Sequence, residues 1–201
     1  MIVNDNSVNI EVGNRGYHHG DLWTAVLVAG HRLLEKGDAE TLSLREIARE
    51  VGVSATAIYR HFPDKNALLL ALAKQGMQQL AAQQARANTT GDKAGFAASG
   101  QAYVRFAIAN PALFRLIFSY LPAGAHPLES YEEGSAAWLL RRDIGAIMGD
   151  DVSKEKQFAA AMRSWALVHG LAMLILDRQI DPAIAEEMIT HVISEDSIDL
   201  G

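Results

Sequence analysis

The stretch Thr41–Lys65, TLSLREIAREVGVSATAIYRHFPDK, constrains this chain more than any other. Ser43 precedes an apolar-periodic run and Glu46 follows three residues later, the pattern of a capping box in which the serine oxygen takes the N3 amide and the glutamate reaches back. Leu44, Ile47, Ala48 and Val51 then fall on one helical face. Gly52 stands where a left-handed residue must end that helix, because it carries no Cβ. Ser54 is placed to cap a second short helix whose apolar side is Ala57, Ile58 and Phe62. Two short helices joined by so tight a turn cross steeply. Ala48 allows the approach, and Val53 and Ile58 fill the wedge. The spacing therefore predicts a helix-turn-helix.

Ala55, Thr56, Tyr59, Arg60 and His61 lie on or near the opposite side of the second helix. Short side chains there permit close approach, and the longer ones supply donors for base edges and phosphates, which is what a recognition helix in a DNA groove needs. Phe62-Pro63-Asp64-Lys65 breaks the chain and restarts it. With Asp64 as N-cap, the free amides and positive dipole of the next helix, beside Lys65, form a phosphate clamp. Thr41, Ser43 and Arg45 at the start of the first helix, and Ser54 at the start of the second, complete the expected contact set, with Ala57 beside the base edges. The competing reading is a helical hairpin with a solvated outer face. Cap, turn glycine, small contact residue and polar outer face agree against it.

The run Tyr17-His18-His19-Gly20-Asp21-Leu22, then Leu42 to Ala48, then Gly52-Val53-Ser54, then Ile58-Tyr59-Arg60-His61-Phe62 and Lys65, resembles the DNA-binding domain of the TetR family of bacterial transcriptional regulators. Trp23 departs from the pattern, standing where arginine is usual. The segments from Tyr103 to Phe118 and Trp165-x-x-x-His169-Gly170 resemble a TetR-family C-terminal domain named for its Trp-His-Gly motif. The resemblance implies an all-α homodimeric repressor. It would have an N-terminal three-helix domain for an operator in double-stranded DNA and a larger helical domain for a small-molecule effector and dimerisation.

The chain has 201 residues and a formal net charge of −6. Between Arg15 and Asn66, seven Lys/Arg balance seven Asp/Glu; from Ala67 onward 11 basic against 15 acidic residues give −4. The expected DNA end is the less acidic part, so binding should rest on a local patch and on dimer avidity. With no cysteine, disulfides, thiol catalysis and thiolate metal sites are excluded. No signal-peptide pattern opens the chain, and the apolar run Trp165–Leu176 is too short to span a membrane. A cytoplasmic protein without membrane contact is the expectation.

Residues 1–14 read as a disordered arm, 15–66 as the DNA-binding domain, 67–195 as the effector and dimer domain, and 196–201 as a polar tail. Arg15 either reaches a phosphate or the minor groove, as basic arms do, or is a solvated tail charge. His19, next to His18, faces phosphate or caps the first helix; adjacent residues at a helix start converge poorly on a metal. About nine helices are expected: Leu22–Lys36, the helix-turn-helix pair, Lys65–Ala87, Phe96–Asn110, Ala112–Ser119, Leu128–Met148, Lys154–Gln179 and Ala183–Ser194. Leu121–Pro127 reads as a loop, and no strand pattern is present.

Tyr103, Phe106, Phe114, Phe118, Trp138, Met162, Trp165, His169 and Met173 are candidates for a cavity that would take an apolar or aromatic effector, with Tyr103, Arg105, Tyr131 and His169 as polar groups. Taken singly, each aromatic is more simply core, and His169 more simply a structural histidine. The helix from Lys154 is apolar around much of its circumference, so it should face its own core on one side and a second copy on the other. The last helix joins it to make a four-helix homodimer seam, which would set two recognition helices about 34 Å apart. No nucleophile–base set, phosphate loop, cofactor motif or metal motif appears, so a helical enzyme is the weaker alternative. An activator, or a DNA-binding protein without a ligand, remains open.

Overall fold

The computed structural model describes residues 19–120 and 133–196, with side chains from Leu22 onward. Nine α-helices and one 3-10 turn make up the described residues, with no strand among them. They are α1 (His19–Lys36), α2 (Leu44–Val51), α3 (Ala55–Tyr59), α4 (Lys65–Ala87), α5 (Lys93–Ala109), α6 (Pro111–Ser119), α7 (Ala136–Met148), α8 (Lys154–Leu176) and α9 (Ala185–Val192). The all-α expectation holds.

Helix α4 is the spine. It packs on α1 at one end and on α5, α6 and α7 along its length. Leu68, Leu69, Leu72 and Leu80 on it are buried, and one continuous apolar core runs from Leu22 on α1 to Ile193 beyond α9. A second, smaller core of Phe96, Ile144, Ala160 and Ala161 joins α5, α7 and α8. Helix α6 touches α1 as well as α4 and α5. The N-terminal helices are thus tied to the larger part through both α4 and α6.

Several expected boundaries move. Helix α1 opens at His19, ahead of the expected start at Leu22. Asp92 caps α5, accepting from the Gly95 amide at 2.9 Å, so that helix starts before Phe96. Ser135 caps α7, accepting from the Trp138 amide at 3.2 Å; residues 133–135 precede the helix, which therefore does not run from Leu128. Helix α8 ends at Leu176 and not at Gln179, because Arg178 takes a left-handed φ of 58° and the Gln179 amide turns back to the Leu174 carbonyl. Asp181 opens a 3-10 turn, Pro182–Ile184, before the shorter α9. The expectations for Arg15, His18, the arm 1–14, the loop Leu121–Pro127, Tyr131 and the tail past Asp196 lie outside the described residues.

By length and composition α8 could cross a membrane. Its buried face instead packs on α5 and α7, the place of a core helix.

Candidate nucleic-acid interface and aromatic cluster

Helices α2 and α3 form the expected tight pair. Gly52 has φ 76°, ψ 31°, and the Val53 amide returns to the Ala48 carbonyl at 2.9 Å, which closes α2. Ala48, Ile58 and Phe62 are buried beneath the pair. Ser54 accepts from the Ala57 amide at 3.2 Å and caps α3. The capping box expected on α2 does not form: neither its serine bond nor the reciprocal Glu46 bond is made. Ser43 holds the extended N-cap backbone, but its hydroxyl makes no cap bond; its carbonyl receives the Glu46 and Ile47 amides. Position alone fixes the helix start, and the hydroxyl is left to face the cleft beside it.

That cleft lies between the starts of α2 and α4 and the end of α3. Ser43, Arg45, Tyr59, Asp64 and Lys65 line it. Asp64 accepts from the Ala67 amide at 2.8 Å and so caps α4. The Lys65 ammonium donates to the Glu40 carbonyl, which ties α4 to the loop ahead of α2. Thr41 is likewise engaged in that loop: its amide donates to the Asp38 carboxylate at 2.8 Å, and its hydroxyl donates to the Asp38 carbonyl. The Thr41 backbone bond, with smaller help from its hydroxyl, holds the Asp38 carboxyl below its ordinary value. This Asp38–Thr41 turn was legible as an aspartate three residues before a threonine after Gly37, yet only the tertiary fold brings Lys65 against it.

On the outer side, Arg45, Ser54, Thr56, Tyr59 and Arg60 are exposed, while Ala55, Ala57, His61 and Lys65 are half-buried. His19 opens α1, its side chain lying outside the described residues. Trp23 takes a place sequence reading did not give it. Its ring stacks on Phe62 at 4.3 Å and meets His61 edge-on at 6.3 Å, yet it stays 40% exposed. It therefore fastens α1 to the end of the recognition helix and still presents an edge outward.

The effector candidates do not all converge. Tyr103, Phe106, Phe114, Phe118, Trp165 and Met173 belong to or pack on the main core, and the His169 ring lies 4.7 Å from Phe118, 5.6 Å from Phe114 and 5.7 Å from Trp165. Met162 packs instead on the smaller core. Trp138 stands on α7 with the Arg142 guanidinium 5.1 Å from its ring. Arg105 is not part of the cluster; it pairs with Glu186 on α9 at 2.5 Å. The buried Asp143 carboxylate accepts from Asn88 at 2.7 Å and from Arg142, joining the α4–α5 turn to α7.

At the centre of the cluster the Tyr103 hydroxyl meets His169 Nδ1 at 2.9 Å, and the Trp165 indole N–H points to the same hydroxyl at 3.4 Å. Burial pushes the Tyr103 phenol well above its ordinary value. Burial also lowers the His169 pKa, since charge is disfavoured among the rings. The unfolded chain then binds the proton more readily than the folded one. This contribution to stability is complete above about pH 6.5, the ordinary histidine value, and is lost as pH falls towards the lowered folded value. The melting temperature of wild type should drop over that acid window, and His169→Phe should flatten that part of the curve. A melting series from neutral pH to pH ~5 checks it.

The fold and the exposed recognition helix define a class: all-α regulators that bind DNA through a helix-turn-helix. The model for bacterial regulatory proteins of the tetR family matches residues 26–72, and that for the tetracyclin repressor-like C-terminal domain matches residues 96–195. A Rhodococcus sp. RHA1 protein of unknown function is 31% identical, with 92% of this chain and 96% of that one covered and a TM-score of 0.69. The TetR of Acinetobacter baumannii AYE shares the fold at 19% identity, with 86% and 79% coverage and a TM-score of 0.60. So does the TetR-family regulator PfmR of Thermus thermophilus, at 19% identity, 86% and 96% coverage and a TM-score of 0.54. No curated protein shows significant sequence similarity. The chain belongs to the TetR family and is a DNA-binding regulator of transcription.

Proposed function

We propose that the protein is a cytoplasmic, homodimeric repressor released from a palindromic operator by a small apolar or aromatic effector. The observation that carries this reading is the position of α6. Its Phe114 and Phe118 contact His169 in the aromatic cluster. Its Leu113 and Ile117 pack on α4, and the Tyr120 hydroxyl that follows it donates to Asn66 at the start of α4, 3.1 Å away. An effector that favours a different seat for α6 would thereby turn α4 and the recognition helix. By linkage, the operator would weaken effector binding to the same degree.

The second copy would dock on α8 and α9. The buried side of α8 carries Ala160, Ala161, Leu171, Ala172 and Ile175. About a third of a turn away, Ala166, Leu167 and Leu174 are exposed, with Gly170 open among them, and Ile184 before α9 is 43% exposed. A large apolar strip of this kind marks an association surface, and a twofold seam would bring two recognition helices to one operator.

Selection of genomic fragments by the purified protein, without added ligand, tests the whole reading. Enrichment of one short inverted repeat supports it; a folded protein that enriches nothing refutes it. An operator lying where binding raises transcription would make the protein an activator. On the enriched site, Tyr59→Ala should weaken all sequences about equally if Tyr59 donates to a phosphate, with the salt slope unchanged because a neutral phenol releases no counterion. Thr56→Ala should change which bases are preferred. Titrations against operator variants differing at single bases separate the two.

A further inference from the structure

Helix α8 has a third strip between its buried and exposed sides. Trp165, His169 and Met173, at helical spacing, are half-buried there. Donors and acceptors at the middle of this strip can be assigned from chemistry. An indole N–H only donates, so the Trp165 bond makes the Tyr103 oxygen an acceptor. The Tyr103 hydroxyl is buried, so its hydrogen needs an acceptor, and among the described residues that acceptor is His169 Nδ1 at 2.9 Å, which must be unprotonated to receive it. In a neutral imidazole the proton therefore sits on Nε2. Among the described residues Nε2 has no hydrogen-bond partner, and it is not one of the fully buried unpartnered atoms of this half-buried histidine, so it keeps some exposure. The relay Trp165–Tyr103–His169 thus ends in one oriented donor set among the faces and edges of Phe114, Phe118 and Trp165.

We infer that His169 Nε2–H is the polar anchor of the effector site, and that the site selects an uncharged aromatic molecule bearing a hydrogen-bond acceptor, such as a carbonyl. This rests on the effector-site reading above. A donor group on the ligand would find no acceptor at Nε2. A carboxylate would favour the imidazolium, whose second proton must go on Nδ1, against the Tyr103 hydroxyl. That hydroxyl already accepts from Trp165 and would lose its only acceptor. Burial among rings opposes the extra charge as well. The aromatic surround accounts for the preference for a flat apolar body, because rings stack or meet edge to face at such distances.

Three probes of nearly equal shape test this: naphthalene, acetylnaphthalene and naphthoate, titrated against the full-length protein by Trp fluorescence and calorimetry. Acetylnaphthalene should bind roughly three- to tenfold tighter than naphthalene, the value of one neutral hydrogen bond, with naphthoate the weakest. His169→Phe should bring acetylnaphthalene down to the naphthalene level, and His169→Gln, which keeps an amide donor, should restore part of the preference. Independently, nitrogen NMR of the His169 ring should show Nε2 protonated and Nδ1 bare. Equal binding of naphthalene and acetylnaphthalene, a preference for naphthoate, or a proton on Nδ1 would overturn the anchor and leave the effector site standing. A folded protein that binds none of the three would remove the site and the anchor together. Should the variants fail to fold, the wild-type series and the ring tautomer decide alone.

Discussion

Replacing Phe62 with alanine is expected to cost about 3–5 kcal/mol of stability, the range for a buried phenylalanine, and to abolish operator binding before the rest of the molecule unfolds. Phe62 has no exposure and stacks on Trp23 at 4.3 Å. Its amide closes the end of the recognition helix on the Ile58 carbonyl at 2.9 Å. Helix α3 itself is only five residues long. A helix that short has no stability of its own and exists only where side chains pin it. Ile58 and Phe62 are its two buried pins. The loss should therefore be local first: operator affinity falls at temperatures where circular dichroism still reports a folded, helical protein. Phe62→Leu, which fills most of the space, should cost less than about 2 kcal/mol and keep measurable binding. Urea unfolding and operator titration on the same samples check both. If Phe62→Ala bound DNA as wild type does, the packing of α3 would not depend on this ring.

The next largest effect is expected at Gly76. A Cβ there would stand 2.8 Å and 2.9 Å from Leu113 Cδ1 and Cγ and 3.0 Å from Ile117 Cδ1. The glycine lets α6 lie against α4. Gly76→Ala would gain about 1 kcal/mol in helix propensity but must displace α6, and overpacking of this kind costs about 1–3 kcal/mol. A net loss is expected, larger for Gly76→Val. Because α6 also meets α1 and the aromatic cluster, the same change should alter operator affinity. Gly170 supplies the contrast. A Cβ there meets nothing within 4 Å, so Gly170→Ala should stabilise the isolated chain. If α8 seats a second copy, that substitution should weaken the dimer instead. Thermal melting with sedimentation of both variants separates these outcomes.

Much of this was readable from local pattern. Gly52, Ser54 and Asp64 act as the helix stop and caps their spacing implies, since those roles depend only on near neighbours. Lys65–Ala87 came out with its ends in place. Failures occurred where a local signal had competition. Ser43 occupies the cap position without making the cap bond. Asp92 and Ser135 start helices that apolar periodicity placed elsewhere, because a cap residue outranks the first apolar residue in fixing a start. Arg178 ends α8 in a left-handed conformation usually reserved for glycine, so no residue type announced it.

The sequence by itself determined the all-α class, the helix-turn-helix, its polar outer face and the family. The first three are matters of periodicity and capping over a few turns of chain, while the family shows in the motif residues that resemble it. Only the tertiary structure decided which distant residues meet. It set Trp23 on Phe62, Asn88 on Asp143 and α6 in the gap left by Gly76, and it brought Trp165, Tyr103 and His169 into one relay while parting them from Trp138 and Met162. Those contacts join residues far apart in the chain. Their geometry comes from how helices pack across one another, which no local pattern encodes.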